Sequence, residues 1–122
     1  MGMSVQLQIE EMSGYLAARF IGEGAPGKAH QQFAFIAEHC KRANYKRLLI
    51  DFTARQVKVN IADRFSFGEK SQVFARDNIK VAILARPDQF EPSRFGELVA
   101  RNRGVNLRGF TDVQAAEKWL LE

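Results

Sequence analysis

Val5, Leu7 and Ile9 alternate with Gln6, Gln8 and Glu10, the period-two pattern of a strand with one wet face. Met12-Ser13-Gly14 carries turn chemistry and residues 15–21 predict a second strand, so the chain should begin with an antiparallel hairpin. After a loop from Gly22 to Gly27, Ala29, Phe33, Ile36, Ala37 and Cys40 recur at the spacing of one helical face. Leu48-Leu49-Ile50 with Phe52 is a short unbroken apolar run, the mark of a strand covered on both sides. A second helix is expected over residues 61–75 behind Asn60 as its cap, followed by a buried strand over residues 80–85. Pro92 opens a third helix with Phe95, Leu98, Val99 and Asn102 on one face, and Gly104 closes it. Residues 105–110 form the last strand. Thr111 and Gln114 read as a capping box for a final helix packed through Val113, Ala116 and Leu120.

The resulting order, ββαβαβαβα, belongs to the α/β class. It implies a five-stranded, mostly parallel mixed sheet with four helices, the first strand antiparallel and the crossovers right-handed. The chain reads as a single domain over residues 1–122, without internal repeat, linker or low-complexity segment.

Composition narrows the function classes. Of the 122 residues, 46% are hydrophobic and 26% charged, which suits a packed core rather than a disordered chain. A single cysteine, Cys40, excludes an intrachain disulfide and a cysteine-based zinc cage, and fits a reducing, cytoplasmic setting. No stretch approaches the roughly 20 apolar residues of a membrane span. Met1-Gly2 is followed by Gln6 where an acylation signal needs Ser or Thr.

The net charge is +4, and Lys41, Arg42, Lys46, Arg47, Arg101 and Arg103 gather where two helices end. Cations there complement the helix dipole without any partner. With Tyr45 as their only interleaved aromatic, no nucleic-acid partner is expected.

Gly22-Glu23-Gly24-Ala25-Pro26-Gly27 matches the G-x-G-x-x-G pattern of a dinucleotide loop. Pro26 removes an amide donor from it, Arg19 interrupts the preceding strand, and Asp51 lies well beyond the usual spacing of about 20 residues for the ribose-binding acid. His39 and Cys40 are helix neighbours that point about 100° apart, so they form no nucleophile–base pair. His30 and His39 have no metal-pair spacing. No catalytic residue, metal or cofactor is expected. Within a single second helix, Ile61 and Phe65 would lie on one side and Phe67 and Phe74 nearly opposite. One core cannot bury both, so Phe67 and Phe74 are candidate contacts of a homodimer or other partner, with Arg64 beside them on the helix surface.

The second half carries a resemblance. Asp63-Arg64-Phe65 with Phe67-Gly68, the strand Lys80-Val81-Ala82-Ile83-Leu84-Ala85, Arg94-Phe95 and the stretch from Val99 to Asn106 resemble the SpoIIAA-like (STAS/SEC14-type) family of small bacterial proteins. Phe110-Thr111-Asp112 and the run from Ala116 to Trp119-Leu120 do so as well. The resemblance implies the STAS fold and a non-enzymatic regulatory or protein-interaction module. In anti-sigma-factor antagonists of this kind, a serine at the start of the second helix is phosphorylated. Here Asn60-Ile61-Ala62-Asp63 offers no hydroxyl, and Ser66 falls a turn further in. The alternative is a carrier of a small apolar or anionic ligand, lipid or nucleotide. Such a ligand would sit beyond the strand C-termini, where Thr53, Arg55, Asn60, Asp63, Arg86 and Thr111 are expected to gather, the two arginines suiting an anion.

Overall fold

Alternation along the strands sends side chains into two cores, one on each face of a five-stranded sheet, in the computed structural model, which describes residues 5–23, 29–55, 61–90 and 95–122. The elements are β1 (Val5–Glu11), β2 (Leu16–Gly22), α1 (Phe33–Ala43), β3 (Arg47–Arg55), α2 (Ile61–Lys70) and α3 (Gln72–Arg76). They continue with β4 (Lys80–Leu84), a 3-10 turn (Pro87–Gln89), α4 (Phe95–Asn102), β5 (Leu107–Phe110) and α5 (Val113–Leu121). The sheet order is β1-β2-β3-β4-β5, with β1 antiparallel to β2 and the remaining pairs parallel. This is the α/β arrangement expected from the sequence.

Leu16, Ala18 and Phe20 of β2, Leu48 and Ile50 of β3, and Val81 and Ile83 of β4 meet the crossover helices on one face. Leu49, Ala82 and Leu84, each one residue out of step, meet Ala116 and Leu120 of α5 on the other. Burial on both faces is why β3 and β4 carry unbroken apolar runs rather than alternation. On α1 the expected stripe holds, with Ala29, Phe33, Ile36, Ala37 and Cys40 all buried. Burial, with a smaller contribution from Asp77, pushes the Cys40 thiol up to about 11, so it is protonated and inert at neutral pH.

The second helix departs from expectation. It breaks at Ser71, whose buried hydroxyl donates to the Phe67 carbonyl oxygen at 2.7 Å, a back-bond that bends helices. After the break Phe74 turns fully inward, 0% exposed, with its ring 5.4 Å from that of Phe33. Phe67 is half-buried against Phe33, Phe52 and His30. Phe67 of α2 and Phe74 of α3, expected together opposite Phe65, therefore both pack inward, while Phe65 on the other side of α2 is 40% exposed. Phe74 is thus a core residue rather than a partner contact, and most of the Phe67 ring is spent on the chain's own core.

Two smaller corrections concern faces and caps. Among the described side chains of α4, Val99 and Ala100 are buried, whereas Leu98 is 52% exposed and Asn102 faces solvent. The cap of α5 is Asp112 rather than Thr111; its carboxylate accepts from the Ala115 amide at 3.0 Å, and Val113 is exposed. Gly104 does close α4, at φ +85°, a left-handed conformation that glycine adopts without strain.

Helices α2 and α4 approach unusually closely. A Cβ added at Gly68 would fall 2.4 Å from Val99 Cβ and Cγ1, so only glycine admits this crossing. Replacing Gly68 by alanine should cost about 1–3 kcal/mol, the usual range for overpacking. Urea denaturation measures it, and an unchanged midpoint would show that the crossing is looser than described.

Tyr15 Oη donates to the Glu117 carboxylate at 2.6 Å and ties α5 to the hairpin. Burial first, then the Glu117 hydrogen bond, raise the phenol from 10.0 to about 12. Because the folded value is raised, this stabilisation is complete below pH 10 and disappears as pH rises from 10 through about 12. Thermal melts of wild type and Tyr15→Phe across that interval should converge, the variant showing the shallower decline. Parallel curves would contradict the assignment.

Candidate functional site

The C-terminal ends of parallel strands are the usual ligand edge of an open α/β sheet, and here Thr53 and Arg55 end β3 while Arg86 and Thr111 follow β4 and β5. At the end of β3 the register with β2 shifts between Arg19 and Ile21. Asp51 Oδ1 stabilises the irregularity by accepting from the Thr53 amide at 2.8 Å and the Thr53 hydroxyl at 2.6 Å. Its other oxygen lies 3.8 Å from Arg19 Nε. Asp51 is thus occupied within the sheet, on the face opposite Phe52, and is not poised for a ribose. The shift also aligns Phe52 with Phe20, their rings stacked at 5.4 Å.

Thr53, Arg55 and Arg86 do come together at this edge. Arg86 donates through Nη1 to the Thr53 carbonyl oxygen and through Nε to Asp88 at 3.2 Å. Arg55 is only 4% exposed, and its Nη1 reaches the Gly22 carbonyl oxygen at 3.5 Å. Loss of water pushes its guanidinium below the ordinary arginine range. Gln89, unnoticed in the sequence, joins these groups. Its Nε2 donates to the Phe52 carbonyl oxygen at 2.8 Å and the Arg55 carbonyl oxygen at 3.4 Å, while its Oε1 accepts from the Arg86 amide at 2.7 Å. Both arginines expected to meet an anion are therefore directed at backbone acceptors.

Thr111 follows Phe110, whose carbonyl oxygen accepts from the Ala85 amide, and so stands at the same edge but on its exposed rim. Asn60, the Gly24–Gly27 part of the glycine-rich loop and Pro92 lie outside the described residues, and Asp63 and Arg64 are placed only by the helical backbone of α2.

The helical face presents a different surface. Phe65 on α2 is 40% exposed and Leu98 on α4 is 52% exposed, on the two helices that meet at Gly68. The Arg103 guanidinium lies 5.1 Å from the Phe65 ring centroid, a cation–π contact. Behind them His30, nearly buried, has Nδ1 3.3 Å from Ser66 Oγ and its ring against Phe33 and Phe67. Much of the basic edge is also spent locally. Lys46 donates to the Asp77 carbonyl oxygen, Lys80 sits over the Trp119 ring, and Arg101 lies 3.9 Å from Glu97. Among the described residues no three His, Cys, Asp or Glu side chains cluster as a metal site would need, and no helix is long and apolar enough to cross a membrane.

No family model matches this chain, and no curated protein does so by sequence. Solved structures do. An anti-sigma factor antagonist from Mycobacterium paratuberculosis superposes with a TM-score of 0.63 at 14% identity, over 98% of this chain and 96% of that one. A DUF3478-family protein with a SpoIIAA-like fold from Shewanella loihica PV-4 superposes with a TM-score of 0.51 at 22% identity, over 98% and 93%. Such identities establish architecture: the chain has the SpoIIAA-like (STAS) fold.

Proposed function

We propose that this chain is a non-enzymatic, cytoplasmic regulatory module that works by protein–protein contact through the α2–α4 face, with a second copy of itself as the first partner. The observation that carries the reading is the apolar exposure of Phe65 and Leu98 on the two helices joined at Gly68. Large apolar side chains turned outward beside a close helix crossing mark a surface that gains from being covered. The fold shared with an anti-sigma factor antagonist supports the same reading.

The module differs from a serine-switched antagonist. The start of α2 reads Asn60-Ile61-Ala62-Asp63, and the next hydroxyl, Ser66, is half-buried against His30. Control by phosphorylation at the start of that helix is therefore not part of the proposal.

Phe67 is a poor probe of association, because its ring packs against Phe33 and Phe52 and its loss would disturb the fold. Phe65→Asp and Leu98→Asp change exposed positions instead. Light scattering should give a dimer for the wild type and a monomer for either variant, with melting temperatures within a few degrees of wild type. A wild type that stays monomeric, or a dimer indifferent to both variants, contradicts the reading.

A further inference from the structure

A cleft of about 430 Å³ opens between the start of α1 and the α2–α3 junction. Small-molecule sites usually occupy about 300–1,000 Å³ and combine an apolar floor with a few convergent polar groups. This cleft has both. Ala34 and Val73 supply apolar wall in front of the buried Phe33, and Lys70, Arg76, Gln31 and Glu69 supply the polar lining.

The cleft lies beside the break at Ser71, where the Ser71 hydroxyl donates back to the Phe67 carbonyl oxygen. Beyond it Phe74 is in the core while Val73 and Arg76 border the opening. Its walls are firmly held, for Phe33 packs against Phe74, and His30 is fixed between Ser66 and the rings of Phe33 and Phe67.

Charge then selects the ligand. Among the described residues, neither Lys70 nor Arg76 has a hydrogen-bond or ion-pair acceptor, in contrast to Arg55 and Arg86, which are engaged. Two such cations line the cleft with a single carboxylate, Glu69. We propose that this cleft binds a small organic anion, a phosphate monoester or carboxylate attached to a compact apolar group, with Lys70 and Arg76 holding the charge and Ala34 and Val73 the apolar body. The cleft shares α2 with the surface proposed for protein contact, but binding there does not rest on that reading.

The probe is 1-naphthyl phosphate, followed by amide NMR titration of the intact chain. Saturable shifts are expected at residues 30–34 and 69–76. Lys70→Ala and Arg76→Ala should each weaken binding about tenfold, the loss expected for one charge-assisted contact. Glu69→Gln should strengthen it. Inorganic phosphate and 1-naphthol, each lacking half of the chemistry, should bind more weakly than the ester. All three substituted residues are exposed, so the variants should fold, and wild-type-like spectra away from the cleft would verify it. Absence of saturable shifts, shifts centred elsewhere, or affinity indifferent to both cation variants overturns the proposal. So does a response to phosphatidic acid vesicles without one to the soluble ester, since that assigns the cations to a membrane surface.

Discussion

Four parallel strands laid side by side in chain order dictate most of this molecule. Crossovers of one hand between strands advancing in one direction place every connecting helix on the same face. Helices α1 to α4 therefore crowd one side of the sheet, and α5 covers the other. Crowding is relieved in two ways. Gly68 lets α2 and α4 touch backbone to side chain, and the break at Ser71 folds the end of the second crossover down onto Phe33. Beside these two devices lie the surface features of the helical face, the outward-turned Phe65 and Leu98 at one and the cleft next to α1 at the other.

The strand C-terminal edge tells a contrasting story. Its arginines look like an anion site when only their positions are known. In the folded chain Gln89 and Arg86 bind backbone carbonyl groups of β3, Arg55 reaches across to β2, and Asp51 holds a sheet irregularity. These groups stitch neighbouring strand ends together. Polar residues at a strand end thus have two competing uses, and which one wins is decided by geometry that residue spacing does not encode.

That contrast explains what could be read in the sequence. Periodicity sufficed for the hairpin, for the α1 stripe from Ala29 to Cys40, and for the doubly covered runs of β3 and β4, because burial on these elements repeats regularly. It misplaced the inner face of α4, where Leu98 and Val99 are adjacent apolar residues and only the approach of Gly68 decides which one is buried. It also merged α2 with α3, since a serine inside a helical pattern gives no strong sign of a break. The bend depends on Ser71 being buried, where its hydroxyl must turn back to the Phe67 carbonyl oxygen. Of the opposed aromatic faces, that of Phe67 and Phe74 packs inward and Phe65 stays turned outward. The cleft was illegible for the same reason, because it lies beside that bend.

Hydrogen exchange followed peptide by peptide over a concentration series tests the central claim most directly, namely that the crowded helical face is where this chain meets its partner. The account predicts that protection rises with concentration in peptides covering residues 65–70 and 97–103, while the β1 edge and α5 remain unchanged. Concentration-dependent protection confined to β1 or α5, with the α2–α4 peptides constant, would contradict it.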